Sequence, residues 1–207
     1  MEHANKKTLE SYESGFEQYI ENTPQYRGPV IEDWLEKSTA GLSVDAKILE
    51  IGSAHGQDAK IVESGGYYVE KTDATAGFVA ILQKSDPEAR VLDVLTDDLP
   101  DGYDLVLSNA VLLHFNDSET RLAAAKIFDA LKPGGVFSFT LKQGEGESWQ
   151  NNKGMAPRYF NFWSENDITT LLGEIGYTNL NSWTDTAKGS DATWIMVLAQ
   201  KPQDFIV

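Results

Sequence analysis

The 207 residues are 41% apolar and 11% aromatic, a globular composition with enough chain for one α/β core. Against 17 basic residues stand 32 acidic ones, a formal charge of −15, and the longest basic run is Lys6-Lys7; the clustered cations that grip a phosphate backbone are missing. With no cysteine, disulfides, thiolate nucleophiles and cysteine-ligated metals are excluded, and the three histidines, His3, His55 and His114, hold no i, i+4 relation that suggests a metal.

The first seven residues are polar and lack the apolar segment of a leader. Residues 8–20 then set Leu9, Tyr12, Phe16, Tyr19 and Ile20 at helical spacing, and Pro29 opens a second helix with Ile31, Trp34 and Leu35 on one face. Lys47–Ile51 reads as a strand stopping at Gly52, followed by a glycine-containing turn and a short helix from Asp58 to Ser64, closed by Gly65-Gly66. Tyr67–Thr72 is a second strand with Asp73 just past its end, and Thr75–Lys84 is helical. Val91-Leu92 forms a short third strand before Asp93, and Tyr103–Ser108 a fourth.

Asn116, with Glu119 three residues on, has the form of a capping box. The helix it starts bears Ala124, Ile127, Phe128 and Leu131 and stops at Pro133-Gly134-Gly135, before a fifth strand at Val136–Leu141. Residues 143–157 read as a polar loop without periodicity, and Ser164 and Asp167 begin a helix ended by Gly176. Tyr177–Asp185 and Thr193–Gln200 are the last strands, joined by Thr186–Asp191; that connection is too short for a crossover, so the pair is antiparallel. This order predicts an α/β fold, a mostly parallel sheet with one reversed strand and helices on both faces. A single domain over 1–207 is expected: a helical cap at 1–45, a core at 46–142, a loop at 143–163, then a helix and hairpin at 164–200. No apolar run approaches the ~20 residues of a membrane helix. A cytoplasmic protein with neither nucleic acid nor membrane as partner is expected; oligomeric state is open.

Open α/β sheets bind ligands at the carboxyl ends of their strands. After the first strand comes Glu50-Ile51-Gly52-Ser53-Ala54-His55-Gly56-Gln57-Asp58, whose small residues at 52, 54 and 56 let the backbone approach a ligand closely. Asp73 is placed to accept hydrogen bonds from two vicinal hydroxyls, worth about 1.5–3 kcal/mol each when charge-assisted. Together with Asp93, Tyr103–Asn109, Leu112-Leu113-His114 and Leu131-Lys132-Pro133-Gly134-Gly135, this pattern resembles the class I S-adenosylmethionine-dependent methyltransferases. The motifs span about residues 46–142, and the order of elements extends the likeness to 200.

The resemblance implies a seven-stranded Rossmann-like sheet and S-adenosyl-L-methionine as cofactor, leaving S-adenosyl-L-homocysteine as product, with no metal. It implies that Glu50, Gly52, Ala54 and Gly56 form the turn that lines the methionine portion, with Asp58 near its amino group. Asp73 would hold the ribose with Ala74 beside the adenine, Asp93 the adenine amino group with Val94 near the ring, and Asn109 and Ala110 would lie under the sulfonium. Ala54 departs from the commoner glycine. A nicotinamide dehydrogenase is disfavoured because position 57 is Gln where that fingerprint has its third glycine.

Methyl transfer needs alignment first and a base only if the nucleophile must lose a proton. His114 is the candidate base, or else a packed histidine before the helix. The Lys142–Glu147 turn and Arg158–Trp163 are similar to segments that wall the substrate pocket in small-substrate methyltransferases, so Lys142, Arg158 and Tyr159 are candidate substrate residues, with Tyr12 at the cofactor entrance. Lys142 and Arg158 either recognise an anion or pair with Glu145 and Glu147. The expected reaction is methylation of an O, N or carboxylate acceptor on a small molecule or peptide. The alternative is a catalytically silent cofactor-binding module acting through a protein partner.

Overall fold

The computed structural model describes residues 4–23, 28–151, 154–186 and 192–203. Its centre is a seven-stranded sheet in the order β3-β2-β1-β4-β5-β9-β8. The strands are β1 (Ile48–Ile51), β2 (Val69–Asp73), β3 (Arg90–Val91), β4 (Tyr103–Ser108), β5 (Leu131–Lys142), β8 (Thr178–Thr186) and β9 (Thr193–Gln200). The first five run parallel; β9 alone is reversed, antiparallel to both β5 and β8. Most of the predicted connection at 186–191 lies outside the described residues.

Both faces of the sheet are covered, as the buried apolar residues on both sides of β1 and β4 require. One face packs Ile48, Leu105 and Leu107 against Trp34 and Leu35 of α2 (Pro29–Thr39) and Ala59 and Val62 of α3 (Gln57–Ser64). The other packs Val106, Phe137 and Phe139 against Ile127 of α5 (Asp117–Ala130) and Ile168 and Leu172 of α6 (Glu165–Ile175). Asn116 caps α5 in a complete capping box, Ser164 accepts from the Asp167 amide at the start of α6, and Gly176 ends α6 at φ +117°. The last short helix of the sheet layer is α4 (Ala76–Leu82). Among the described residues no helix is long and apolar enough to cross a membrane.

Three expectations change. Residues 143–157 are not wholly loop: β6 (Glu147–Gln150) pairs antiparallel with β7 (Arg158–Asn161) in a separate ribbon. Its pattern is hidden because all four residues of β7 are buried, leaving no polar-apolar alternation to read. Pro133-Gly134-Gly135 does not precede the fifth strand but lies within it, absorbed where the β4–β5 register shifts. Helix α1 (Ala4–Glu21) is longer than predicted and buries a polar stripe, Asn5, Thr8 and Ser11. That stripe docks on the ribbon: Ser11 Oγ donates to the Pro157 carbonyl at 2.8 Å, and Thr8 Oγ1 accepts from the Tyr159 amide at 3.0 Å.

Candidate active site

The strand order reverses between β1 and β4, and a cavity opens at the carboxyl ends of these strands. Asp73 and Ala74 line it past the end of β2, Asp93 and Val94 past β3, Gly52 and Ala54 past β1, and Asn109 and Ala110 past β4, with Tyr12 and His114 also in its lining. The structure does not bring the side chains of Glu50, Gly56 and Asp58 to its wall. Glu50 is buried in β1; Gly56 adopts φ +79° as the residue before α3; Asp58 accepts from Asn109 Nδ2 at 2.7 Å. Lys142, Arg158 and Tyr159 also lie outside the cavity wall.

Chain conformation at the mouth of β1 is dictated by crowding. Gly52 sits at φ +78°, where a Cβ would fall 2.2 Å from Val111 Cγ2. Ala54 (φ +46°) and Ala110 (φ +58°) hold left-handed conformations that side chains rarely adopt, and both face the cavity. The strained backbone of Ala54 has a visible purpose: its amide donates to Asp73 Oδ2 at 2.8 Å, while the Thr75 amide donates to Oδ1 at 2.8 Å. Asp73 is thereby aimed with both oxygens engaged. Burial pushes its carboxyl above the ordinary carboxylate value, against the two amides, which favour the anion.

Across the cavity, Asn109 is fixed at both ends of its amide. It donates to Asp58 and accepts from Thr140 Oγ1 at 2.6 Å, and the same hydroxyl accepts from the Ala110 amide at 2.9 Å. Thr140, fully buried in β5, is a residue of this network that sequence reasoning missed. So are Thr75, whose amide helps hold Asp73, and Phe78 of α4, which lines the cavity. Only a threonine interrupting the apolar Phe139–Leu141 segment hinted at the first.

Tyr12 and His114 form the floor of a small relay. The His114 Nδ1 lies 2.6 Å from the Tyr159 carbonyl, which only accepts, so Nδ1 carries the proton and Nε2 accepts from the Tyr12 hydroxyl at 2.9 Å. Arg158 Nη1 donates to the same Tyr12 oxygen at 2.7 Å. Burial, opposed by the bond to Tyr159 and aided by the charges of Arg158 and Lys142, pushes His114 down to about 3. Burial pushes the Tyr12 phenol well up. The Tyr159 hydroxyl donates to Glu147, and its ring meets Trp149 in a T-shaped contact.

Comparison with known proteins sets this geometry in a family. A family model described as a methyltransferase domain matches residues 24–182. The chain belongs to that family. No curated protein matched it. Among solved structures, this methyltransferase-family chain is similar to a Burkholderia thailandensis 1,6-didemethyltoxoflavin-N1-methyltransferase holding its substrate and S-adenosylhomocysteine. There the TM-score is 0.72 and identity 18%, over 96% of this chain and 87% of that one. It is also similar to a Haemonchus contortus phosphoethanolamine N-methyltransferase 2 holding S-adenosyl-L-methionine, at TM-score 0.71 and 17% identity over 92% of this chain. This chain spans 57% of that longer enzyme. A glycopeptide N-methyltransferase, MtfA, complexed with S-adenosylmethionine matches at TM-score 0.67 and 14% identity, over 86% and 96% of the two chains. Such identities speak to the fold alone. Among the described residues no cluster of three or more His, Asp or Glu side chains is arranged to hold a metal.

Proposed function

We propose that the protein binds S-adenosyl-L-methionine in this cavity and transfers its methyl group to an O, N or carboxylate acceptor on a small molecule or peptide. The observation that carries the reading is Asp73, a buried carboxylate aimed by two backbone amides at the strand-order switch point. The donor set fits the cofactor. Among the described residues no Lys or Arg lines the cavity while Asp73 and Asp93 do, which suits a cationic ligand and disfavours a dinucleotide pyrophosphate. Ala74, Leu92, Val94 and Phe115 give an apolar slot of the kind a purine fills.

Asp73 is the group that accepts from the ribose hydroxyls, Asp93 from the adenine amino group. Glu50, Gly52, Ala54 and Gly56 shape the turn along the methionine portion, and Asp58 acts there through Asn109. Asn109 and Ala110, held by Thr140, flank the reacting carbon. The cofactor supplies an electrophilic methyl: the acceptor's lone pair bonds to carbon as the carbon–sulfur bond breaks, its electrons leaving on sulfur as the neutral thioether of S-adenosyl-L-homocysteine. His114 is best read as acting through Tyr12: with Nε2 occupied and proton affinity depressed, it holds the phenol in place rather than storing a proton. The protein's contribution is then mainly alignment and exclusion of water, which serves nucleophiles that need no prior deprotonation.

Calorimetry with S-adenosyl-L-homocysteine tests the reading. Wild type is expected to bind, and Asp73→Ala to bind ~100-fold or more weakly, since two charge-assisted hydrogen bonds at about 1.5 kcal/mol or more each are lost. A wild-type protein that does not bind would remove the proposal; binding without turnover on any acceptor, together with a stable protein complex, would favour the silent module instead.

A further inference from the structure

Beside the cofactor cavity lies a cation that has no anionic partner among the described residues. Lys142 ends β5 two residues past Thr140, so both project from the same face of the strand. Its ammonium lies 4.2 Å from the ring centroid of Phe160 and 6.0 Å from that of Trp194. Among the described residues no carboxylate comes within ion-pair distance of it. The two glutamates that sequence offered as partners are elsewhere engaged or apart: Glu147 accepts from the Tyr159 hydroxyl, and Glu145 borders the same outer space without pairing.

Lys142 also borders a second, open cavity, formed with Gly144, Gln150, Phe162 and Ser164 where β5 meets the ribbon. The Phe160 ring that the ammonium approaches also meets the His114 ring of the first cavity, with centroids 4.8 Å apart. One buried ring thus lies between the ammonium and the first cavity. Arg158 is close enough to add like charge, and burial together with Arg158 pushes Lys142 below its ordinary value. A partly buried ammonium that lies over an aromatic ring and has no carboxylate partner among the described residues gains from any anion that reaches it. The overall charge of −15 repels anions at long range, but the pair of cations acts within the ~8 Å over which charges are felt in physiological salt.

We propose that this second cavity receives the methyl acceptor and that the acceptor is an anion. Its carboxylate or phosphate monoester docks on Lys142, and its nucleophile passes Tyr12 toward Asn109. The inference rests on the methyltransferase reading above and specifies the substrate class of that site. Phe162 provides an apolar wall for the body of the molecule, and Arg158 reinforces the positive field while holding Tyr12.

The test uses the intact protein, labelled S-adenosyl-L-methionine and a macromolecule-free cell extract split on an anion exchanger at pH 8. The retained fraction is expected to accept label. Lys142→Gln should lower incorporation tenfold or more at limiting extract, with recovery at high extract, while affinity for S-adenosyl-L-homocysteine stays within twofold. Lys142→Arg should restore most of the loss, which a packing role for the lysine stem would not require. Benzoate and a phenyl phosphate probe, assayed separately as competitors, tell a carboxylate site from a phosphate site. Incorporation confined to the unretained fraction, or a Lys142→Gln variant indistinguishable from wild type, overturns the anionic acceptor and leaves methyl transfer standing. No incorporation from either fraction overturns both, and the calorimetry then tells a silent cofactor binder from a protein that binds no cofactor.

Discussion

Several cavity residues hold backbone or protonation states that an isolated peptide would avoid. Ala54 and Ala110 adopt left-handed conformations because their amides are needed elsewhere, one by Asp73 and the other by Thr140. Such conformations cost about 1–3 kcal/mol each, supplied by the packing around them. Gly52 is under a different constraint, since both its φ and the Val111 methyl exclude a side chain. Gly52→Ala is therefore expected to destabilise the protein by about 1–3 kcal/mol, measured by urea unfolding. Adding Val111→Ala should recover part of the loss; equal stability of wild type and Gly52→Ala would show that the turn relaxes freely. His114 was legible as a site residue, but its role was not. Its lone pair is committed to a tyrosine 102 positions earlier in the chain, a pairing no local pattern encodes.

Helix α1 shows how an element can be recognised while its contacts are misread. Its apolar positions predicted a helix, yet the buried stripe against the ribbon is polar because β7 offers backbone groups that need partners. Thr8→Val keeps the shape of the side chain and leaves the Tyr159 amide without its acceptor. The expected loss is about 1–3 kcal/mol, read from the denaturation midpoint, and a midpoint unchanged from wild type would mean that the amide finds another partner. The ribbon itself was missed for a related reason. β6 and β7 are four residues each, and their pairing is set by each other and by α1 rather than by a pattern within either. The capping residues of α5 and α6, by contrast, were read correctly because caps depend on neighbours three positions away.

On the scale of the molecule, the buried relay ties stability to pH. His114 is held at about 3 against an ordinary value of 6.5, so between these limits the unfolded chain binds more protons than the folded one. The stability that neutral His114 permits is complete above pH 6.5 and is lost as pH falls toward 3, at about 1.4 kcal/mol per unit for a single site. His114→Gln removes this contribution. The stability gap between wild type and the variant is expected to shift in the variant's favour as pH is lowered from 7 to 4, followed by urea unfolding at each pH. A gap constant with pH would show that the imidazole titrates equally in both states. Helix α1, the ribbon and the turn at Leu112–His114 meet at this one histidine, so acid is expected to loosen the cover of the cavity.

The sequence by itself determined the alternation of strands and helices, the reversal of the final hairpin, the helix caps and the set of small and acidic residues at the strand ends. Each of these depends on periodicity or on chemistry within a few residues, and strand-end position follows from element order alone. Tertiary structure decided the rest. It chose which predicted residues share the cavity and which stand behind it, set Thr140 against Asn109, spent the His114 lone pair on Tyr12, and placed Lys142 beside a second space with no ion pair to it among the described residues. These are contacts between segments far apart in the chain, fixed only when β5, the ribbon and α1 pack together, and no local pattern carries them.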